Sequence, residues 1–423
     1  MRRVVVIGAG AAGAMAAIFS AEAGAETLLL ERTKDGGRKI LISGGGRCNV
    51  LPSRLDASRF ITDSSSNTLK KIVRSWPLAG QIDFFEQELG VPLVEEAESA
   101  KLFPASHRAR DVRDALFARA RALGVQLQFE TLVTGISSLG CGDALTGDAD
   151  QTELAPPARW SVTLEGAPPI VCDAVIVATG GLSVPNTGSD GRGLAMVAAL
   201  GHTLHARYAA LTPLSADPAP FGALAGVSLP VTITAKGAGR SATATGGFLF
   251  THHGYSGPSV LDVSHVLVRA RAEQQEAQIS VSWSGLDAAA WERALKADGA
   301  RTIGGAVRQE MPERLAIALI KSVGLDTTQS LADLRRADRL RLIDTLVRGP
   351  LFSTTDEGYK KAEVTGGGVS LAEIDPRTME SRLHRGLYLC GEVLDAFGPI
   401  GGYNFLWAWA TGRAAGAGAA AAR

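Results

Sequence analysis

Three glycines near the start of the chain have the spacing of a site for nucleotide phosphates. Gly8, Gly10 and Gly13 follow the β-branched run 4–7 and precede small and apolar residues. The first glycine permits a tight turn, the second lets backbone approach a pyrophosphate, and the third lets a helix pack closely on a sheet. At the N-terminus of that helix, unpaired N–H groups favour an anion. The pattern predicts a dinucleotide site, which also includes Ala12.

An acidic residue stands at the distance that such a site requires. The apolar run 27–30 ends in Glu31, 18 residues after Gly13, and Arg32 follows it. A carboxylate here can accept from a ribose 2′-hydroxyl and would repel the 2′-phosphate of NADP. The whole order of strand, glycine turn, helix, strand and acid makes a βαβ unit without a nucleotide the less favoured interpretation. The glycines alone do not distinguish FAD from NAD.

Two later apolar runs favour FAD. The run 174–181 contains Thr179 and Gly180 at its end, and the run 386–392 ends in an acid. They resemble the two later signatures of two-dinucleotide-domain flavoproteins: a strand that ends in Ala-Thr-Gly, and a late strand whose acidic end contacts the ribityl chain.

The acid of the late strand has two candidates. Glu392 follows Gly391 and stands where many such flavoproteins have Asp, and Asp395 lies three residues later. After Gly401, a predicted helix opens with Gly402, Tyr403 and Asn404. A helix N-terminus aimed at the N1/C2 edge of a flavin would stabilise the anionic reduced form. The alternative is a helix that needs only a glycine turn.

A glycine cluster follows the first βαβ unit. Arg38 and Lys39 precede it, and its members are Ser43, Gly44, Gly45, Gly46, Arg47, Cys48 and Asn49. Consecutive glycines with polar neighbours can present backbone N–H groups to an anion or to an isoalloxazine ring. A flexible surface loop is the weaker alternative. We also assign Lys39 and Val133 to the cofactor site.

These motifs together resemble the BaiN/YhiN-type FAD-dependent flavoproteins, also called aminoacetone-oxidase-like. The resemblance extends over essentially the whole chain and rests on residues 43–49, Thr-His-His-Gly-Tyr-Ser-Gly-Pro at 251–258, Val-Thr-Gly-Gly-Gly-Val at 364–369, and residues 391–404. Where that family usually has Thr-Asn after the Arg-Cys-Asn segment, this chain has Leu51-Pro52.

The resemblance implies an α/β fold: a Rossmann-like FAD-binding domain of the two-dinucleotide-binding-domain type with an inserted β-barrel and a small helical domain. We expect the FAD domain at 1–190 and 352–423, the barrel at 191–285 and 345–351, and the helical domain at 286–344. Periodicity agrees, because short alternating runs occupy residues 225–283 and residues 287–346 are mostly helical in pattern. The polar stretch 140–157 is expected to be a surface loop.

The expected activity is hydride transfer through the flavin N5 atom, most simply reduction of a carbon–carbon double bond with NAD(P)H as donor. The sequence has no second strand-GxGxxG-helix unit, so NAD(P)H would dock transiently, or the electrons would come from elsewhere. The reduction needs a proton donor. His252 is the leading candidate, because an ordinary histidine pKa near 6.5 suits proton exchange; a structural turn histidine is about equally expected. Tyr255, Tyr403 and Cys48 are the other candidates.

The substrate stays open. Members of the resembling family act on unsaturated steroid and bile-acid intermediates, on small amines, or on uridine of large-subunit rRNA, which becomes dihydrouridine. Residues 101–121 carry six Lys/Arg against two Asp, and residues 301–348 carry nine against six acids. Such an excess of positive charge can bind the phosphates of a nucleic acid, or it can belong to a solvated helix face. A flavin-stabilised RNA- or ribosome-binding protein without turnover is the alternative class, although no aromatic-interleaved basic platform is present.

Composition sets outer bounds. The 423 residues hold 43 Lys plus Arg, 43 Asp plus Glu and 49 glycines, so bulk charge names no partner. The four cysteines are far apart, which predicts neither a metal site nor a disulfide framework. No apolar run is long enough to span a membrane. We expect a cytoplasmic protein, and the sequence leaves its oligomeric state open.

Overall fold

The computed structural model describes residues 1–139, 159–296 and 300–421. They divide into two compact units, residues 1–207 with 364–423, and residues 208–363. The expected surface loop at 140–157 lies outside the described residues.

The first unit contains most of the helices. They are α1 (Ala11–Glu22), α2 (Arg38–Ile42), α3 (Ser66–Arg74), α4 (Leu78–Asp83), α5 (Ala109–Ala122), α6 (Arg192–Ala199) and α12 (Tyr403–Ala421). Those of the second unit are α7 (Pro258–Ala272), α8 (Ala288–Ala294), α9 (Ile303–Val307), α10 (Glu313–Ser322) and α11 (Arg336–Arg348).

The strands of the first unit are β1 (Arg3–Ile7), β2 (Glu26–Leu30), β3 (Leu51–Pro52), β4 (Leu93–Glu96), β5 (Lys101–Pro104), β6 (Gln126–Gln128), β7 (Val133–Ser138), β8 (Trp160–Leu164), β9 (Ala167–Cys172), β10 (Ala174–Val177), β19 (Val364–Val369) and β20 (Leu387–Leu389). Strand β11 (Leu204–Ala210) crosses the boundary between the units. The second unit has β12 (Leu214–Ser215), β13 (Ser228–Gly237), β14 (Arg240–Phe250), β15 (Gly254–Ser256), β16 (Ala277–Ser282), β17 (Gly349–Pro350) and β18 (Thr355–Asp356).

A five-stranded parallel sheet is the centre of the first unit. Its order is β20-β10-β1-β2-β6, and Val5 pairs with Leu28 on one side and Val175 on the other. The side chains of β1 and β10 are almost wholly buried, as expected for a parallel sheet covered on both faces. Because parallel strands end at the same edge, the turns after β1, β2, β10 and β20 meet there. The predicted Rossmann-like α/β fold is confirmed.

Helices α1 and α12 pack on each other at very short range. A Cβ added to Gly412 would lie 2.4 Å from the Ala12 carbonyl oxygen, and one added to Gly416 would lie 2.2 Å from that of Ala16. Glycine is required at both positions because any side chain would push the helices apart. The Ala/Gly-rich tail is therefore a packed helix.

The second unit is built on a seven-stranded sheet in the order β17-β16-β13-β14-β15-β12-β18. Its buried face, with α7 to α11, forms a separate apolar core. In the range 225–283, where alternating runs were expected, β13, β14, β15 and β16 are strands, and the described part of residues 287–346 is mostly helical.

The boundary between the units differs from the expected domain limits. Helix α6 belongs to the first unit, because Leu194 and Val197 are buried in its core, and residues 352–363 belong to the second. The further division into a barrel (191–285, 345–351) and a helical domain (286–344) stays a prediction.

Candidate functional site

A cleft opens in the first unit at the carboxyl edge of the parallel sheet. It encloses about 1130 Å³ of space, part of it open to solvent. Many of the predicted cofactor residues line it: Gly8, Gly10, Ala12, Glu31, Arg32, Lys39, Val133, Thr179, Gly180, Gly391, Glu392 and Asn404. The fold thus brings together residues from most of the length of the chain.

The phosphate turn has the three glycine environments that its spacing predicts. Gly8 has φ +101°, and a Cβ on it would lie 2.7 Å from the Ala178 carbonyl oxygen. A Cβ on Gly13 would lie 1.8 Å from the Gly8 carbonyl oxygen. A Cβ on Gly10, by contrast, meets no described atom within 4 Å, and Gly10 lines the cleft. Gly8 and Gly13 are therefore needed because the neighbouring backbone packs against them, whereas Gly10 leaves open a space that a ligand would fill.

The N-terminus of α1 faces the same cleft, and no described side chain of the helix neutralises its N–H groups or its dipole. Gly10 is the N-cap, and within this described helix neither a capping side chain nor an acidic first-turn residue is present. Gly10, Ala11 and Ala12 line the cleft. Unpaired first-turn N–H groups and the positive end of the helix dipole make this position suited to an anionic group.

Glu31 is held at the end of β2. It is 9% exposed, and its Oε2 accepts from the Ala9 N–H at 2.8 Å. Its Oε1 accepts from the Thr33 N–H at 2.8 Å and from the Thr33 hydroxyl at 2.7 Å. A carboxylate has about four acceptor positions, so one remains for a ribose hydroxyl. These bonds fix the carboxylate against the phosphate turn.

Glu392 is the centre of a polar network in the cleft wall. Its Oε2 accepts from the Lys39 ammonium at 2.6 Å, and its Oε1 accepts from the Ser183 hydroxyl at 2.7 Å and the Thr365 N–H at 2.9 Å. Lys39 also donates to the Ser183 hydroxyl at 2.5 Å. The network joins α2, the turn after β10, β19 and the segment after β20. Sequence reasoning named Lys39 and Glu392 separately and missed Ser183 and Thr365.

Two buried polar atoms of the cleft residues have no partner among the described residues. They are Thr179 Oγ1 and Arg32 Nε, whereas Arg32 Nη1 contacts Asp190 at 2.6 Å. Buried polar groups are normally hydrogen-bonded. Together with the open space at Gly10 and the uncapped helix, they fit an anionic, hydroxyl-rich dinucleotide such as FAD.

The cleft also contains residues that sequence reasoning missed. Gly188, Ser189, Asp190 and Arg192 lie between the turn after β10 and the first turn of α6. In the sequence, Gly188 and Gly191 could have indicated this turn, which follows the Ala-Thr-Gly strand end by eight residues. Their φ angles are +113° and +83°. Phe397 and Trp407 also line the cleft but have no local motif.

The glycine cluster 43–49 lies outside the lining of this cleft. Gly44, Gly45 and Gly46 are exposed and have positive φ, and the Ser43 hydroxyl donates to the Ile40 carbonyl. Arg47 pairs with Glu96 at 3.0 Å and lies over the Phe103 ring. With its amide oriented to satisfy both neighbours, Asn49 donates to the Leu51 carbonyl and accepts from the Gly402 N–H. The assignment of this cluster to the flavin stays a prediction.

Cys48, a predicted catalytic candidate, is completely buried. Burial raises the pKa of its thiol to about 12. A thiol in this state exchanges protons slowly near neutral pH. The structure therefore favours its interpretation as a small core residue.

Asp395 and Tyr403 also point away from the cleft lining. Asp395 Oδ2 accepts from the Thr62 hydroxyl at 2.8 Å and from the N–H groups of Asp63 and Ser64 at 2.9 and 2.8 Å. The Tyr403 hydroxyl donates to the Arg54 carbonyl at 3.3 Å. Of the two acids proposed for the ribityl contact, Glu392 is the one that lines the cleft.

Gly402 supports the start of α12. Its φ is +87°, and a Cβ there would lie 2.4 Å from the Leu51 carbonyl carbon. Leu51-Pro52, the departure from the family pattern, is thus strand β3, on which this glycine packs. Asn404 lines the cleft and bonds both polar groups of Gly398.

The remaining proton-donor candidates belong to the second unit. His252 is exposed in the turn between β14 and β15. Tyr255 is 1% exposed, its hydroxyl has no partner among the described residues, and burial raises its pKa to about 12. Exposure leaves His252 better placed than Tyr255 to exchange protons with solvent.

Two further features are absent from the described ranges, a metal centre and a membrane-spanning helix. No group of three or more His, Cys, Asp or Glu side chains there is arranged to hold a metal ion. In the same ranges, every helix is too short or too polar to cross a membrane.

Comparison with known proteins agrees with this geometry. Residues 2–418 match the family described as HI0933-like protein Rossmann domain. The chain is 30% identical to the 3-dehydro-bile acid delta(4,6)-reductase of Clostridium scindens, covering 99% of each chain. It is also 30% identical to the ribosomal RNA dihydrouridine synthase of Escherichia coli, covering 96% of this chain and 95% of that one.

A solved structure shows the same fold. The 3-ketosteroid delta1-dehydrogenase of Sterolibacterium denitrificans superposes with a TM-score of 0.53 at 11% identity, covering 98% of this chain and 99% of that chain. The chain belongs to the HI0933-like Rossmann-domain family, which confirms its resemblance to the BaiN/YhiN-type FAD-dependent oxidoreductases.

Proposed function

We propose that this FAD-dependent oxidoreductase saturates an activated carbon–carbon double bond, with NAD(P)H as the electron donor. The observation that carries the proposal is the pair of relatives at equal identity. Their names give unrelated substrates, a bile acid and an rRNA nucleoside, but one shared change, the reduction of a C=C bond. The cleft and its polar wall supply the same cofactor site for either substrate.

The reaction adds a hydride to one carbon of the bond and a proton to its neighbour, while NAD(P)H is oxidised to NAD(P)⁺. When bound, FAD supplies hydride transfer through its N5 atom. The protein's own residues bind the cofactor and orient it. The α1 N-terminus and Gly10 receive the pyrophosphate, Glu31 accepts from a ribose hydroxyl, and Glu392 with Lys39 holds the cleft wall in place.

The donor is tested on the purified, FAD-loaded protein by stopped-flow absorbance under anaerobic conditions. We expect NADH or NADPH to bleach the visible flavin band, and an unsaturated substrate to restore it. Two acceptors should be offered in parallel: an enone steroid, and an rRNA transcript that contains uridine. Flavin left unreduced by both nucleotides would contradict NAD(P)H as donor. Reduced flavin that neither acceptor reoxidises would favour a different electron acceptor, or an FAD-stabilised RNA-binding protein without turnover.

We propose that His252 delivers the proton. It is exposed in the turn between β14 and β15, and its imidazole can donate a proton to a bound substrate. Replacement by Asn should lower the rate of substrate-dependent flavin reoxidation by about 10²-fold or more. The neighbouring, equally exposed His253 provides the matched control, and His253→Asn should keep the wild-type rate. Equal rates in the two variants, with flavin content unchanged, would remove His252 from the mechanism.

A further inference from the structure

Seven of the fifteen Lys and Arg side chains in the two segments with a basic excess form ion pairs among the described residues. In residues 101–121, Arg108, Arg113 and Arg119 form ion pairs with Asp or Glu. In residues 301–348, the same holds for Arg308, Arg339, Arg341 and Arg348. A cation that already faces a carboxylate releases fewer counterions when it meets a phosphate. The ion-paired arginines of these segments are therefore weak candidates for contacts with a nucleic acid.

A different surface carries cations that have no such partners. Residues 54–74 hold five Lys/Arg against Asp56 and Asp63, a net charge of +3. Four of the five make neither an ion pair nor a side-chain hydrogen bond within the described part of the chain. We call these four the cationic surface: Arg54, Lys70, Lys71 and Arg74. Three are exposed, and Lys70 is half-buried.

The members of the cationic surface come from a loop and from α3, and α3 contacts that loop at residues 57–59. On α3, Lys71 and Arg74 are three positions apart and share a face.

This region is attached directly to the wall of the cofactor cleft. Tyr403 bonds the backbone of both Arg54 and Asp56. The Phe60 ring packs 6.1 Å from Trp407, which lines the cleft. Ile61 and Phe397, another lining residue, exchange both backbone hydrogen bonds at 2.8 and 3.1 Å. The loop that begins at Arg54 thus contacts residues that line the cleft.

We infer that the cationic surface binds the phosphodiester backbone of an RNA substrate and holds it beside the cleft. The inference rests on the proposed function with RNA as the molecule that carries the double bond. Charge complementarity supports it, because solvated Lys and Arg side chains are the usual partners of phosphate oxygens.

The test is binding of a fluorescein-labelled oligouridylate to the full-length, FAD-loaded protein, measured by anisotropy over a salt series. The variant replaces the four residues of the cationic surface by Gln: Arg54→Gln, Lys70→Gln, Lys71→Gln and Arg74→Gln. The control makes the same change in net charge at exposed, ion-paired arginines: Arg108→Gln, Arg308→Gln, Arg341→Gln and Arg348→Gln. Flavin content and visible spectrum should match the wild type in both proteins, which shows that both are folded.

We expect the first variant to bind the probe about tenfold more weakly or worse. The slope of log K against log[salt] should fall by about 0.7 for each lost contact, so by up to about 3. The control should keep the wild-type slope. Equal losses in the two variants, or no loss in either, would overturn the inference. The inference would also be overturned if the cationic surface were required for binding to phosphatidylserine vesicles while the protein did not bind the oligouridylate. Failure of the proposed reduction appears in the flavin kinetics and leaves this equilibrium measurement unaffected.

Discussion

Replacement of Gly10 by valine is expected to give a folded protein that purifies without colour. Gly10 has φ −79° and ψ −168°, an extended conformation that valine adopts readily. A Cβ there meets no described protein atom within 4 Å, so the new side chain occupies the cleft and not the core. It would stand at the N-terminus of α1, where the pyrophosphate must approach the backbone. We expect FAD affinity to fall at least about a hundredfold, or ~2.7 kcal/mol.

The measurement is flavin content of the purified protein together with its circular dichroism spectrum and urea midpoint. Gly285→Val is the matched control, because Gly285, like Gly10, lacks a positive φ and has open space around its Cβ position, but it is exposed and lies in the second unit. It should remain yellow. Yellow Gly10→Val protein with normal flavin content would refute the assignment of the cleft to FAD.

The two single replacements of Lys39 and Glu392 are expected to cost, in sum, more stability than the double replacement. Their side chains are 25% and 18% exposed and 2.6 Å apart. Removing one partner leaves the other charge partly buried without compensation. For fully buried pairs that loss is about 3–5 kcal/mol; with the solvent contact that remains here, we expect a coupling energy of roughly 1–2 kcal/mol in a cycle of Lys39→Met, Glu392→Gln and both.

The cycle is measured by urea unfolding of the apoprotein, so that cofactor binding does not contribute. Arg348 and Asp344 form the comparison pair, since they are 75% and 59% exposed at 2.5 Å. For that pair we expect about 0.5 kcal/mol or less. Additive effects at Lys39 and Glu392, within about 0.3 kcal/mol, would show that their ion pair does not stabilise the cleft wall.

Much of the site could be predicted where its chemistry is local in sequence. Gly8, Gly10 and Gly13 could be assigned separate roles from spacing alone, because turn, approach and packing follow from one short βαβ unit. Glu31 followed from its place at the end of the next strand. Glu392 was chosen on a pattern in which Asp is usual, and the structure places it in the cleft lining.

The part that could not be predicted depends on contacts between distant residues. Lys39 and Glu392 are 353 positions apart, and no local pattern states that they meet. Asp395 was as good a candidate by sequence, but the loop 62–64 surrounds its carboxylate. Charge counts meet the same limit, since a run of arginines carries no information on which of them face a carboxylate.

The order of strands in the parallel sheet has a consequence for synthesis of the protein. Strand β1 needs β10 beside it, and β10 needs β20, which is made about 380 residues after β1. At roughly 5–20 residues per second, the phosphate turn waits about 20–80 s on the ribosome for its neighbours. Helix α12, whose glycines seat it on α1, arrives later still. Cofactor capture is therefore a late event, and a nascent chain stalled before residue 387 exposes an apolar strand edge to chaperones in place of a binding site.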